Sequence, residues 1–171
     1  MIIVEDRFAE VFAYIPDVQY PGDVNAYAPT FQYGDDKELN AFLKLHEAQN
    51  SKPYPLIWLL YPYTEKQLKT KVELPSVSFI LAVDTKTEML NPERIKESYK
   101  KILIPMYDNF VKVITRNNII NIEHSFNVIK YPNYSDDNST GDKNKTIARW
   151  DALKVNFKCT INDTCLRKIK I

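Results

Sequence analysis

Three consecutive segments between residues 53 and 114 constrain the fold of this chain more than any other feature. Residues 54–61 are apolar throughout and bounded by prolines, which is typical of a strand buried on both faces. Large apolar residues then occupy alternate positions from Val77 to Val83, which predicts a second strand. After Asn91, apolar residues recur every three or four positions, which predicts an amphipathic helix. This block predicts a packing scaffold and contains no recognisable catalytic motif.

The same patterns predict the other elements of the chain. Apolar periodicity indicates two more helices and two more strands, the helices over residues 4–15 and 36–49 and the strands over residues 120–128 and 152–161. Asp35 or Asp36 is expected to cap the second helix, Asn91 to cap the third, and Pro105 to kink or divide that third helix. The order of elements predicts an α+β fold with a four-stranded mixed or antiparallel sheet, packed on one face by helices.

The chain has 171 residues, a length that predicts one domain over residues 1–171. Two polar segments interrupt it: residues 17–34 predict an extended arm, and residues 132–147 a mobile loop. Charge is balanced, with 23 basic and 22 acidic residues, so no chain-wide basic field recruits nucleic acid. Because no signal-peptide core and no membrane-spanning run is visible, we expect a product folded in a reducing cytoplasm.

Asp84 and Lys86 form the one pattern that suggests an active site. They follow the second central strand, and a metal-dependent nuclease uses carboxylates to hold Mg²⁺ and a lysine to steady the nucleophile. Glu73 or Glu88 would supply the further carboxylate. The alternative interpretation is a solvated charged turn after an apolar strand.

The other chemically active side chains do not form a recognisable motif. The chain has two cysteines, Cys159 and Cys165, and two histidines, His46 and His124, and their spacing matches no compact zinc motif. We therefore predict that both thiols are free and that the protein binds no metal or cofactor. His124 is predicted to be a core or interface residue. Trp58 and Trp150 are predicted to pack in the core or at a subunit contact, because the basic residues that accompany base-stacking platforms are absent from residues 56–63.

A family resemblance extends over residues 53–130. It consists of the strand Pro55-Leu56-Ile57-Trp58-Leu59, the strand end Ala82-Val83-Asp84, and a helix with Tyr99, Leu103, Pro105 and Met106. This pattern resembles the tail-terminator and neck-ring proteins, or head–tail connectors, of tailed phages. The abundance of Lys, Asn and Ile agrees with an AT-rich phage genome. The likeness is to phages of Bacteroides-like hosts, including crAss-like phages.

The resemblance implies a structural virion protein of the neck or tail, without enzymatic activity or cofactor, assembled in the host cytoplasm. It would form a sixfold or twelvefold ring with itself and contact portal, neck or tail-tube proteins. Genomic DNA would pass through the ring without sequence-specific binding, and no membrane is involved. The candidate interface residues belong to the arm and the polar loop: Tyr20, Tyr27, Tyr33, Tyr134, Asp136 and Asp137. The alternatives are the nuclease centred on Asp84 and Lys86, and a binding module directed at host components.

Overall fold

The structure, a computed structural model, describes residues 1–49, 54–85, 88–123, 125–134 and 150–162. The helices are α1 (Val4–Phe12), α2 (Asp36–Ala48), α3 (Asn91–Arg94), a π-helical segment (Ile95–Leu103) and α4 (Ile104–Arg116). The strands are β1 (Val18–Gln19), β2 (Ala26–Tyr27), β3 (Thr30–Gly34), β4 (Leu56–Leu60), β5 (Lys66–Gln67), β6 (Lys71–Asp84), β7 (Ile120–Ile122), β8 (Asn127–Tyr134) and β9 (Trp150–Asn162). The three segments from Asn91 to Arg116 are consecutive, and we call them the composite helix. None of the helices in these ranges is both long and apolar enough to cross a membrane.

The main sheet has seven strands and is mixed. Its path is β3-β4-β6-β9-β7, while β5 pairs with β6 and β8 pairs with β9. Among the described strands of this sheet, β3 and β4 are parallel and the other pairs are antiparallel. The α+β class is therefore confirmed, whereas four strands is an undercount. Two causes account for it: short polar strands show no alternation, and the strand predicted over residues 120–128 is divided into β7 and β8.

The predicted arm over residues 17–34 is also more structured than its composition indicates. It contains the two-stranded hairpin of β1 and β2, in which Val18 pairs with Tyr27, followed by β3 of the main sheet. β3 joins the sheet through five backbone pairs with β4. Of the loop predicted over residues 132–147, residues 135–147 lie outside the described ranges.

Helices pack on both faces of the sheet, so the prediction of helices on one face is wrong. α1 and the composite helix cover one face and form the large core with β4, β6, β7 and β9. α2 covers part of the other face and forms the small core, in which its Leu39 and Leu43 pack against β4, β6 and β9. The residues of β4 alternate between the two cores and are all buried, which confirms the expected two-sided burial of this strand. Apolar side chains buried on both faces require two covering layers.

Phe79 of β6 stands at the centre of the large core. Its ring lies 4.9–5.7 Å, between centroids, from the rings of Phe8, Phe12, Phe110 and Phe157. Most of these pairs are edge to face, the geometry that aromatic quadrupoles favour. This one side chain therefore connects α1, α4 and β9.

α2 begins with a reciprocal hydrogen-bond pair. The Glu38 backbone N–H donates to Asp35 Oδ1 at 2.8 Å, and the Asp35 backbone N–H donates to Glu38 Oε2 at 2.8 Å. This arrangement satisfies two donors at the helix start, and it identifies Asp35 as the N-cap. The indole of Trp58 donates to the carbonyl of Gly34 at 3.1 Å, which fixes the end of β3 above the small core.

The composite helix changes geometry one residue before Pro105. It is π-helical over Ile95–Leu103 and α-helical from Ile104, whose N–H bonds to the carbonyl of Tyr99. The predicted division near Pro105 is therefore present, although the helix is continuous. At its start, Leu90 precedes the first helical residue, so Asn91 is not the cap that the sequence predicted.

Candidate functional site

A cleft of about 720 Å³ opens between the β1–β2 hairpin, the end of β6 and the π-helical segment. Its lining combines aromatic rings, carboxylates and hydroxyls: Tyr20, Pro21, Gly22, Asp23, Tyr27, Tyr54, Asp84, Thr85, Met89, Glu97, Ser98 and Ile102. Among these described residues none is basic. The volume is in the usual range for a small-ligand site. We call this site the tyrosine cleft.

The hairpin wall of the tyrosine cleft is held by hydrogen bonds to Asp23. The Tyr27 hydroxyl donates to Asp23 Oδ2 at 2.6 Å, and the Asn25 backbone N–H donates to Asp23 Oδ1 at 3.2 Å. The bond to Asp23 raises the pKa of Tyr27. The rings of Tyr20 and Tyr27 meet edge to face, with centroids 5.7 Å apart.

Tyr20 brings a buried hydroxyl to this wall. Within the described part of the chain this hydroxyl has no hydrogen-bond partner. Burial and then the nearby charge of Asp84 raise the pKa of Tyr20. The hydroxyl is therefore a neutral group at neutral pH, with one proton to donate and lone pairs to accept. A buried polar group of this kind is costly without a partner.

A buried ion pair supports the cleft from below. Arg94 and Asp151 are buried, and Arg94 Nη1 lies 3.1 Å from Asp151 Oδ1. The same guanidinium donates to Thr85 Oγ1 at 2.7 Å and, through Nε, to the Met89 carbonyl at 3.0 Å. This network fastens the start of the composite helix to β9 and to the residue after β6. No local motif predicts this pair, although Asp151 has the same strand parity as the apolar Leu153 and therefore faces the large core.

The structure separates Asp84 from Glu73, one of the two further carboxylates of the nuclease hypothesis. Asp84 is exposed and lines the tyrosine cleft, while Lys86 lies outside the described residues. Glu73 lies eleven residues earlier on β6, roughly 36 Å along an extended strand, and its Oε1 is 2.8 Å from the Lys71 Nζ. Glu88 is exposed in the segment beyond Asp84. Throughout the described ranges, no three His, Cys, Asp or Glu side chains are grouped to hold a metal ion.

The six candidate interface residues fall in three places. Tyr20 and Tyr27 meet in the tyrosine cleft. Tyr33 is exposed on β3, where its ring stacks on that of Tyr61 with centroids 5.9 Å apart. Tyr134 is the last residue of β8, whereas Asp136 and Asp137 lie outside the described residues. Tyr33 and Tyr134 are therefore on strands at opposite edges of the main sheet, where β8 shares the outer side of β9 with β7.

Both tryptophans are buried in the small core, as predicted. Cys159 is a buried free thiol on β9, and burial raises its pKa to about 12. His46 packs against Phe42 on α2, with ring centroids 4.4 Å apart. His124 and Cys165 lie outside the described residues, so the core or interface position of His124 and the free thiol of Cys165 stay predictions.

The main sheet presents two edges, β3 on one side and β8, together with β7, on the outer side of β9. The described residues include no strand beyond β3 on one side or beyond β8 on the other. On β8, two consecutive apolar side chains are exposed, Val128 to 39% and Ile129 to 51%. An open, apolar strand edge is a template for pairing with another chain.

Comparison of the chain with protein-family models finds no match, and neither curated proteins nor solved structures give one. The function proposed below therefore depends on the residues and the geometry of this chain.

Proposed function

We propose that this chain is a structural subunit that assembles with itself into a ring, as in the neck or tail of a tailed phage. The observation that carries the proposal is the pair of outer strands, β3 and β8, at opposite edges of one continuous sheet. A ring requires two different surfaces on each subunit that complement each other. The two sheet edges meet this requirement, and the exposed Val128 and Ile129 give one of them an apolar surface.

The strand directions favour this contact. β3 is parallel to β4, which is antiparallel to β6, which is antiparallel to β9, and β8 is antiparallel to β9. β3 and β8 therefore run in opposite directions. If the sheet of one copy continued into the next with the same face outward, β8 would meet β3 of its neighbour as an antiparallel pair. Tyr33 and Tyr134 would then lie at the two sides of the contact.

The phage assignment is the more specific part of the proposal. It is supported by the packing pattern of residues 53–130 and by the sheet-edge geometry, which suits a homo-oligomer. In that setting the ring would be sixfold or twelvefold and would contact portal, neck or tail-tube proteins. Genomic DNA would pass through its channel without sequence-specific binding.

A substitution on β8 tests the assembly. We expect Ile129→Lys to reduce the mass of the particle from that of a ring to that of a monomer, because a lysine disfavours edge pairing. Leu90→Lys is the matched control, since Leu90 is 70% exposed and precedes the composite helix, outside both edge strands. Mass photometry and negative-stain images of both variants and of the unmodified chain supply the measurement. If the unmodified chain stays monomeric at high concentration, the proposal is contradicted. A stable dimer would indicate a twofold contact instead of a ring.

The alternative function is a metal-dependent nuclease centred on Asp84 and Lys86. The position of Asp84 in an open cleft favours it. The test is Mg²⁺-dependent DNA cleavage by the unmodified chain that the Asp84→Ala variant loses. Absence of cleavage by the unmodified chain removes this alternative.

A further inference from the structure

We infer that the sheet edges of two neighbouring copies pair in one particular register, with Val128 of β8 opposite Tyr33 of the neighbour's β3 and Lys130 opposite Phe31. This inference rests on the proposed ring and adds the residue-by-residue arrangement of its contact. It follows from two properties of the edges: which residues point their backbone N–H and C=O groups outward, and where a proline or a helix cap removes an N–H from use.

On β3, the odd-numbered residues present their backbone groups to the open edge. The Thr30 N–H donates to the carbonyl of the residue before β4, and the Gly34 carbonyl accepts from the N–H of the residue after β4, both at 2.8 Å. The backbone groups of successive residues in a strand point to opposite sides. Phe31 and Tyr33 therefore point their N–H and C=O groups away from β4.

The same alternation, followed from strand to strand, gives the outward residues of β8. The even-numbered residues of β4 point to β6, the odd-numbered residues of β6 after Pro75 point to β9, and the even-numbered residues of β9 point to β8. The Asn162 N–H donates to the Ile119 carbonyl at 2.9 Å, on the outer side of β9, which agrees with this direction. Val128 and Lys130 therefore point their backbone groups to the open edge.

The outward residues of both edges have their side chains on the same face of the sheet. Phe31 packs against the large core, and Tyr33 has the same parity on its strand. Val128 is opposite the large-core residue Val155, and Lys130 shares the parity of Val128. The two residues of an antiparallel pair have their side chains on one face. The sheet can therefore continue from one copy to the next with the large core on the same side.

Prolines and a helix cap limit how far each edge can pair. Proline has no backbone N–H, so it cannot donate in a ladder. Pro29 precedes the first residue of β3, and Pro132 lies two residues after Lys130 on β8. Asp35, which follows β3, uses its N–H in the cap of α2. Within the described part of β3 and β8, the outward residues with an available N–H are therefore these: Phe31, Tyr33, Val128 and Lys130.

One register uses all of these donors. When Val128 is opposite Tyr33, Lys130 is opposite Phe31, and the two prolines lie opposite each other, where neither edge loses an N–H. A shift of two residues in one direction puts Lys130 opposite the proline before β3, and a shift in the other direction puts Val128 opposite the cap residue of α2. Each shift leaves one complete hydrogen-bonded pair. The inferred register has two such pairs, and each pair exchanges two backbone hydrogen bonds.

The side chains agree with this register. Val128 and Tyr33 form a β-branched and aromatic pair, which is favourable across antiparallel strands. On the opposite face, Ile129 lies opposite Gln32 in a non-hydrogen-bonded pair, where the Cα atoms are about 4.5 Å apart. Val128, Ile129 and Tyr33 are exposed in the single chain, so the contact removes apolar surface from water.

Cysteine cross-linking between copies tests the register. Cysteines in place of Gln32 and Ile129 would have their Cα atoms about 4.5 Å apart, within the range of about 4.4–6.8 Å that a disulfide spans. Two single variants, Gln32→Cys and Ile129→Cys, are co-expressed and oxidised, and the linked peptides are identified by mass spectrometry. We expect a dimer that joins one copy of each variant through these two positions. The oxidised unmodified chain shows any links made by the native cysteines.

Two control pairs report the shifted registers. Thr30→Cys with Ile129→Cys would be opposite after a shift in one direction, and Gln32→Cys with Tyr131→Cys after a shift in the other. In the inferred register both control pairs are diagonal neighbours, about 7–8 Å apart, so we expect the link to be lost. A link in a control pair alone, or equal links in all three pairs, would overturn the inference.

The mass of the unmodified chain separates failure of the register from failure of the ring. If the chain assembles as a ring and the pair of Gln32→Cys and Ile129→Cys does not link, the register is wrong and the ring proposal stands. If the chain is monomeric and no pair links, the ring proposal and the register both fail.

Discussion

The two faces of the main sheet differ in how they are covered. On one face, α1 and the composite helix bury an apolar layer that runs from β4 to β7. On the other, α2 covers the part around Trp58 and Trp150, and among the described residues the sheet beyond it carries a polar ladder. In that ladder, Ser76 Oγ lies 3.2 Å from Asn156 Oδ1, and Asn156 Nδ2 donates to Ser78 Oγ at 3.1 Å. The face under α1 and the composite helix buries the larger apolar cluster, so we expect it to supply most of the stability of the domain, with the other face and the edges less constrained by folding.

Phe79→Ala is the strongest test of that difference. The substitution removes a buried ring that contacts four other phenylalanines, and we expect the free energy of unfolding to fall by about 3–5 kcal/mol. Urea denaturation monitored by circular dichroism provides the measurement. A loss below about 1 kcal/mol would show that the large core is not the main source of stability.

Arg94→Met tests whether the face under α1 and the composite helix also depends on the buried ion pair of Arg94 and Asp151. We expect a loss of about 3 kcal/mol, because Asp151 remains buried without this guanidinium. Arg116→Met is the control, since Arg116 is exposed at the end of α4 and should change stability by about 0.5 kcal/mol or less. Equal effects of the two variants would mean that the pair contributes nothing specific.

Leu43→Ala measures the small core on the same scale. Leu43 is buried beneath α2, and its truncation should cost about 2 kcal/mol, less than the loss at Phe79. Leu45→Ala, exposed on the same helix, should be close to neutral. The comparison of the two faces fails if the Leu43 variant is destabilised more than the Phe79 variant in the same denaturation assay.

Asp35→Ala gives the smallest expected effect. The cap of α2 should be worth about 1 kcal/mol, because the Glu38 N–H loses its acceptor. Asp36→Ala, at the first helical position, keeps that hydrogen bond and serves as the control. Thermal unfolding should separate the two variants by a few degrees; identical midpoints would show that the cap contributes no stability to α2.

The sequence predicts the long elements well because their periodicity spans many residues. Val77, Phe79, Leu81 and Val83 face the large core as their alternation predicts, and β9 shows the same parity from Leu153 to Ile161. The short strands are a different case. Strands of two to five residues, such as β1 and β3, form because they pair with partners elsewhere in the chain. The local pattern of apolar residues does not predict that pairing.

The tyrosine cleft illustrates the same limit for a site. The sequence identified Tyr20, Tyr27 and Asp84 for separate reasons, and only the fold brings them together with Glu97. The ion pair beneath the cleft joins residues 94 and 151, which are 57 positions apart. Neither partner belongs to a local motif, so chain topology rather than spacing creates this support.

The composite helix sets a limit on insertion and deletion. It connects the cleft residues Glu97 and Ser98 to the core residues Met106 and Phe110 through one unbroken helix. Each residue of an α-helix advances about 100° around the axis, so removal of one residue from the α-helical turn at 104–106 would rotate the core side against the cleft side by about that angle. Either the cleft side or the core side would then lose its orientation. The length of the helix between the cleft and the core is therefore more constrained than the identity of its exposed residues.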